Sequence, residues 1–112
     1  MSISTHVLDT SKGKPAAGVA VRLERRDGSR WTELSRGTTN TDGRVAALLA
    51  DGAAAPGGSY RLTFDVGAYF AGFGVESFYG EVTIDFMIRD TAAHYHVPLL
   101  VSPFGYSTYR GS

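Results

Sequence analysis

Hydrophobic and polar residues alternate along several short stretches of this chain, a pattern typical of β-strands that bury one face. The alternation is regular over residues 19–25 and 60–66, where Val, Leu, Tyr and Phe occupy every second position. Shorter patterns predict further strands at residues 3–9, 31–38, 44–49, 81–88, 95–101 and 104–109. The sequence therefore predicts about eight strands.

Turn-forming residues separate these strands. Asp27-Gly28 is typical of a tight β-hairpin, and turns are also predicted at residues 11–15 and 40–43. Residues 50–58 are rich in Ala and Gly and predict a loop between two strands. Residues 68–73 are compatible with one short helix. The spacing of strands and turns favours an all-β fold, a two-sheet antiparallel sandwich.

Composition narrows the class of protein. The chain has 112 residues, of which 43 % are hydrophobic and 20 % are charged, as in ordinary globular proteins. We expect that length to form a single domain spanning residues 1–112. The absence of cysteine excludes a disulfide scaffold, a thiolate nucleophile and a cysteine-ligated metal. The formal net charge is +0, which gives no reason to expect nucleic acid or an anionic membrane as a partner.

The sequence shows no signal for a membrane or for secretion. No apolar run approaches the ~20 residues that cross a bilayer. The first residues also lack the basic segment followed by an apolar one that marks a secretory signal. A cytoplasmic protein is therefore expected.

Two of the three histidines lie in one predicted strand. Side chains alternate between the two faces of a strand, so His94 and His96 share one face with Pro98 and Leu100. Pro98 cannot donate a ladder hydrogen bond, which predicts an edge position or a local irregularity. This face is partly apolar and almost uncharged. Such a face is usually covered, most often by another subunit.

The third histidine and one arginine are also candidates. In the first strand Ile3 and Val7 belong to the core face, so His6 points away from the core. Histidine titrates near neutral pH and suits proton transfer, although a single histidine on a strand is more often a surface or packing residue. Arg44 follows the Asp42-Gly43 turn. It is either an ordinary solvated arginine or a clamp for a carbonyl or oxyanion.

The C-terminal tail, the three histidines as a set and the serines offer further candidate chemistry. The tail is either a frayed end or, through Arg110 and the Ser112 carboxylate, part of a pocket beside the histidine face. His6, His94 and His96 together have ligand types suited to zinc, but no carboxylate is obviously placed to support such a site. A Gly-x-Ser-x-Gly elbow is absent, so water is preferred over serine as a nucleophile.

Three separated segments resemble the motifs of the transthyretin-related proteins, the 5-hydroxyisourate hydrolases. They are residues 5–16, with the sequence THVLDTSKGKPA, residues 39–44, with TNTDGR, and residues 94–112, with HYHVPLLVSPFGYSTYRGS. The terminal Tyr-Arg-Gly-Ser is the feature that separates these enzymes from the transthyretin hormone carriers. The motifs occur in the right order, and the resemblance covers the whole chain.

The resemblance implies a fold, an assembly and a reaction. The fold is the transthyretin sandwich of two four-stranded sheets with one short helix. The assembly is a homotetramer, a dimer of dimers, with active sites in a channel between dimers. The reaction is hydrolysis of 5-hydroxyisourate to 2-oxo-4-hydroxy-4-carboxy-5-ureidoimidazoline in urate and purine catabolism, with no metal or organic cofactor.

The resemblance also implies particular site residues. The catalytic residues are His6, Arg44 and His96, and the terminal residues Tyr109, Arg110, Gly111 and Ser112 complete the site. Substrate binding is expected from His6, Arg44, Tyr109, Arg110 and Ser112. His96 rather than His94 holds the family's channel position, a choice that the alternation pattern alone leaves open. Three alternatives remain: a transthyretin-like carrier of a small ligand without catalysis, a zinc-dependent hydrolase and a structural sandwich with no site.

Overall fold

The computed structural model describes residues 1–45, 48–49 and 55–112. Its strands are β1 (Ser2–Ser4), β2 (Val7–Asp9), β3 (Lys14–Pro15), β4 (Ala20–Asp27), β5 (Arg30–Thr38), β6 (Gly58–Phe64), β7 (Val82–Ile88), β8 (His94–His96), β9 (Leu99–Ser102) and β10 (Gly105–Thr108). One helix, α1 (Val66–Ala71), follows β6. The predicted all-β class with a single short helix is confirmed for the described part of the chain.

The strands form two four-stranded sheets and one smaller pair. One sheet has the order β5-β4-β6-β7, the other has the order β10-β9-β2-β3, and β1 pairs with β8. All pairs are antiparallel except β1 with β8 and β2 with β9, which are parallel. Both large sheets contribute to one buried cluster, from Val21, Leu62 and Phe64 on one side to Val7 and Leu99 on the other. The two-sheet sandwich is thus confirmed, with two parallel pairings added.

Two of the predicted strands are each divided in the structure. Residues 3–9 separate into β1 and β2, and residues 95–101 separate into β8 and β9, with Pro98 in the second gap. The hydrogen bonds continue around this proline, since Val97 N–H donates to the Ser4 carbonyl and Leu99 N–H to the His6 carbonyl, both at 2.9 Å. The irregularity predicted from Pro98 is confirmed.

Other boundaries differ from the prediction for local reasons. The predicted turn at 11–15 ends in the two-residue strand β3, because Lys14 and Pro15 pair with β2. In the predicted strand 44–49, the described residues form only isolated bridges, Arg44 with His6 and Leu49 with Ile3, and residues 46–47 lie outside the described part. In the predicted loop 50–58, residues 50–54 also lie outside it, and Gly58 already belongs to β6.

The hairpin and the helix follow from local chemistry. Gly28 adopts a φ of 64° between β4 and β5, as the predicted Asp-Gly hairpin requires. Helix α1 begins at Val66, earlier than the predicted start at residue 68. The reason is that the Asp65 side chain accepts a hydrogen bond from Ala68 N–H at 3.2 Å and caps the first turn.

A buried carboxylate ties the helix to strand β2. The Asp9 side chain is 0 % exposed and accepts hydrogen bonds from the Tyr69 hydroxyl at 2.7 Å and from the backbone N–H groups of Ser11 and Lys12. Burial raises the pKa of this carboxyl, but the hydrogen bonds from Ser11, Tyr69 and Lys12 together outweigh burial and lower it below its ordinary value. Burial and the bond to Asp9 raise the pKa of Tyr69. The pair holds α1 against the strand that follows His6.

We predict that Tyr69→Phe lowers the free energy of unfolding by about 1–3 kcal/mol, because a buried carboxylate loses one of its donors. Urea denaturation at neutral pH measures this loss, with Tyr106→Phe at an exposed ring as the control. The folded-state pKa of Asp9 is depressed, so the stabilisation is present above the unfolded value of 3.8 and is lost as the pH falls through the folded value. An unchanged stability at neutral pH would contradict this account.

Candidate active site

The parallel pairing of the first strands with β8 and β9 brings the candidate histidines to one face. The register pairs Ser4 with His96 and continues unchanged into Val7 with Leu99. Because side chains alternate along a strand, the even-numbered residues of these strands share one face and the odd-numbered residues share the other. Thr5 and Val7 are buried in the core, which leaves His6 and His96 half-buried on the opposite face of the sheet. His96 lies opposite Ser4, and His6 follows two residues along from Ser4, close enough to act electrostatically on His96.

Arg44 reaches the same place through a constrained turn. The Asn40 side-chain oxygen accepts hydrogen bonds from the backbone N–H groups of Asp42 and Arg44, at 2.9 and 3.0 Å. Gly43 adopts a φ of 74°, and its carbonyl oxygen accepts a hydrogen bond from Val7 N–H at 2.8 Å. Arg44 then forms an antiparallel bridge with His6. The turn predicted at 40–43 is confirmed, and it places the guanidinium-bearing residue directly beside His6.

Glycine is required at position 43 by space as well as by conformation. A Cβ there would lie 2.3 Å from the Val7 carbonyl oxygen and 3.3 Å from Cδ2 of the His6 ring. A side chain would therefore separate the turn from the strand that carries His6. The Asp42-Gly43 signal in the sequence is thus a condition for the site, although neither residue has site chemistry.

His96 lies in an electropositive setting. Burial lowers its pKa, and the Arg44 guanidinium, His94 and His6 lower it further. The imidazole is therefore held neutral near pH 7, where it can accept a proton at one nitrogen and donate one at the other. Arg44 and both other histidines lie within electrostatic reach of this ring.

The C-terminal tail divides between the two sides of strand β8. Gly111 N–H donates to the His96 carbonyl at 2.8 Å, and the two residues form a bridge. Ser112 follows directly and is exposed. The Arg110 guanidinium instead lies 4.5 Å from the centre of the Tyr95 ring, on the core side of the strand. The structure thus brings His6, Arg44, His96 and the Gly111-Ser112 end together, but not the Arg110 side chain.

Tyr109 also lies away from the histidines. It is exposed and lines a cavity of about 220 Å³ with Arg110, Tyr95 and residues of β7. A cavity of about 560 Å³ lies on the outer face of the other sheet, where Arg22 pairs with Glu81 at 3.2 Å. Neither cavity is lined by His6, Arg44 or His96. In the single chain these three residues occupy an open face.

His94 is held by serines. Ser2 Oγ forms a hydrogen bond with His94 Nδ1, and Ser4 Oγ lies 3.1 Å from His94 Nε2 and 2.8 Å from His96 Nδ1. Within the described ranges, no three residues of the His, Cys, Asp and Glu types are grouped so that they could hold a metal ion. The sequence analysis did not identify Ser2 and Ser4 as site residues. Only the parallel register of β1 with β8 shows that they lie opposite His94 and His96.

The fold and the site together define a class of protein. It is a β-sandwich with two histidines and an arginine on the outer face of one sheet. The model of the HIUase/Transthyretin family matches residues 3–111. The chain belongs to this family. In the part of the chain that the structure covers, no helix is long and apolar enough to cross a membrane.

The similar proteins include both 5-hydroxyisourate hydrolases and transthyretins. A protein of Salmonella dublin named 5-hydroxyisourate hydrolase is 50 % identical over 110 residues, which cover 98 % of this chain and 80 % of the relative. The structure of Klebsiella pneumoniae 5-hydroxyisourate hydrolase has a TM-score of 0.83 at 45 % identity, covering 99 % of this chain and 93 % of that one. The structure of transthyretin from Sparus aurata has a TM-score of 0.90 at 30 % identity, covering 98 % and 96 %.

We predict that Gly111→Ala displaces the His96 ring, because a Cβ at position 111 would lie 2.5 Å from Cδ2 of that ring. Crystallography and the ring-proton NMR shifts of His96 measure the displacement. Gly105→Ala is the matched control, since its Cβ would meet only Ser102 Oγ at 3.7 Å. An unmoved ring in Gly111→Ala would show that the tail does not define the position of His96.

Proposed function

We propose that this chain is a 5-hydroxyisourate hydrolase, which opens the ring of its substrate by metal-free attack of water on a ring carbonyl of a cyclic amide. The product is 2-oxo-4-hydroxy-4-carboxy-5-ureidoimidazoline. The observation that carries the proposal is the backbone pairing that places Arg44 beside His6 and brings both within reach of His96. Relatives named 5-hydroxyisourate hydrolase, at 49–50 % sequence identity, support this proposal.

In the proposed mechanism His6 is the general base for water. A positioned base typically contributes about 10²–10⁴-fold to a rate. The Arg44 guanidinium, on the neighbouring position of the bridge, binds the ring carbonyl oxygen and stabilises the negative charge that develops there. Loss of one such donor often costs about 3–4 kcal/mol of transition-state stabilisation.

His96 delivers a proton to the ring nitrogen that leaves the carbonyl carbon. Its depressed pKa keeps the ring neutral, so that it acts as a donor through one N–H group. Ser112 is well placed to contact substrate because it follows Gly111, which pairs with His96. Tyr109 and Arg110 complete the proposed substrate-binding set. In the single chain the Arg110 side chain is turned toward Tyr95, so direct contact with substrate requires it to rotate.

We also propose that the protein is a homotetramer, a dimer of dimers, whose sites lie in a channel between subunits. Three observations support this assembly. The face that bears His6, Arg44 and His96 is open in the single chain, and β7 and β10 are sheet edges with unpaired backbone groups. Exposed aromatic rings also surround β10, including Phe78, Phe104 and Tyr106.

A transthyretin-like carrier has the same backbone, so the fold alone does not separate the two functions. Sequence similarity favours the hydrolases, because proteins with that name are 45–51 % identical to this chain and transthyretin from Sparus aurata is 30 % identical. The site residues also favour hydrolysis, because ligand binding alone does not require two histidines and an arginine on one face. We therefore favour hydrolysis.

We predict that the protein accelerates the decay of freshly generated 5-hydroxyisourate, and that His96→Thr abolishes this acceleration while the oligomer stays intact. Ultraviolet absorbance follows the decay, and treatment with EDTA is expected to leave the rate unchanged. Decay no faster than the spontaneous reaction would contradict the enzyme assignment. Loss of activity on chelation would favour the zinc alternative instead.

We predict a solution mass of about four times the 12.0 kDa chain, measured by light scattering coupled to size-exclusion chromatography. A charged residue on the exposed surface at β10, as in Phe104→Glu, is expected to reduce that mass, because it introduces charge into an apolar patch. A monomeric mass for the unaltered protein would contradict the proposed assembly.

A further inference from the structure

A continuous chain of hydrogen bonds runs along the histidine face behind the catalytic ring. Ser2 Oγ bonds to His94 Nδ1, His94 Nε2 bonds to Ser4 Oγ at 3.1 Å, and Ser4 Oγ bonds to His96 Nδ1 at 2.8 Å. The register of β1 with β8 pairs Ser2 with His94 and Ser4 with His96, which accounts for this alternation. The two rings are nearly parallel, with an interplanar angle of 13°.

The Ser4 hydroxyl links the two histidine rings. A hydroxyl has one hydrogen to donate, and Ser4 Oγ contacts a nitrogen of each ring, so it donates to one ring and accepts from the other. When Ser4 donates to His96 Nδ1, the neutral ring carries its hydrogen on Nε2. Within the described part of the chain, Nε2 of His96 has no hydrogen-bond partner in the protein, so it is available to a substrate.

In the proposed mechanism, a neutral His96 that donates its proton needs a second proton to replace it. His96 is held neutral by burial and by Arg44. A neutral imidazole that gives up its Nε2 hydrogen becomes an anion unless a proton reaches Nδ1 at the same time. The atom in contact with Nδ1 is the Ser4 hydroxyl oxygen, and behind it lies His94, which is exposed to solvent.

We propose that Ser4 and His94, with Ser2, form a proton relay that positions His96 and resupplies it as it protonates the leaving nitrogen; this inference rests on the proposed hydrolysis. The His96 Nε2 hydrogen passes to the leaving nitrogen, the Ser4 hydroxyl hydrogen passes to His96 Nδ1, and the Nε2 hydrogen of the His94 imidazolium passes to Ser4 Oγ. His94 ends neutral, with its Nδ1 hydrogen directed to Ser2. One proton is thereby transferred from His94 to the product, and every group of the relay ends neutral.

The test compares Ser4→Ala, Ser4→Thr and His94→Gln in the full-length protein. Ser4→Ala removes the hydroxyl and is expected to lower kcat about 10–100-fold with KM changed less than about twofold, since the relay acts in proton transfer rather than binding. Ser4→Thr keeps the hydroxyl and is expected to restore most of kcat. His94→Gln keeps a donor for Ser4 but cannot supply a proton, so it is expected to lower kcat as well.

Two readouts separate a relay from a merely structural role. The rate of the parent protein in mixtures of H₂O and D₂O is expected to fall along a curve, because several protons move together, whereas Ser4→Ala gives a straight line. In ¹⁵N NMR, His96 Nδ1 of the parent is expected to resonate as an unprotonated acceptor, and Ser4→Ala is expected to shift that resonance. Ser59→Ala, whose hydroxyl contacts Met87 far from the histidines, is the matched control and is expected to change neither readout.

The outcomes distinguish this inference from the proposed function. A parent protein without hydrolase activity overturns the proposed function and the relay with it. An active parent whose kcat and isotope curve persist in both Ser4→Ala and His94→Gln overturns the relay alone. A loss in Ser4→Ala that is not restored by Ser4→Thr also counts against it, because removal of packing would then explain the loss.

Discussion

The parallel pairing between the N-terminal strands and the strands around Pro98 is the constraint on which the rest of the structure depends. Its register is the same on both sides of the proline, from Ser4 opposite His96 to Val7 opposite Leu99. A slip of one residue would turn His6 into the core and Val7 out of it. The apolar burial that fixes this register therefore also fixes which polar side chains face outward.

The site differs in its electrostatics from a histidine supported by a carboxylate. The charged and titratable groups that act on His96 are Arg44, His94 and His6, and none of them is acidic. Nothing in this set favours a persistent imidazolium, so a neutral ring is the resting form. Such a ring suits a reaction in which one proton is taken from water and another is given to a leaving nitrogen. Ser4 of β1 lies behind His96, in the place that a carboxylate takes in a Ser-His-Asp arrangement.

Local signals in the sequence predicted much of the fold, because alternation and turn chemistry act between near neighbours. The Asp27-Gly28 hairpin, the strands β4 to β7 and the interruption at Pro98 all have such local causes. The parallel pairing, the buried bond between Asp9 and Tyr69 and the proximity of Ser4 to His96 join residues that are far apart in sequence. No local pattern encodes these contacts. The choice of His96 over His94 rested on family resemblance, since the two share a strand face.

If His6, Arg44 and His96 together surround the reacting ring, a bound substrate analogue contacts all three. A crystal structure of the assembled protein with a planar oxidised-purine analogue that resists hydrolysis measures these contacts. The analogue is expected on the histidine face, with a ring oxygen bonded to the Arg44 guanidinium and ring atoms within hydrogen-bond distance of the His6 and His96 imidazoles. An analogue bound on the outer face of the other sheet, with the histidine face empty, would contradict this arrangement.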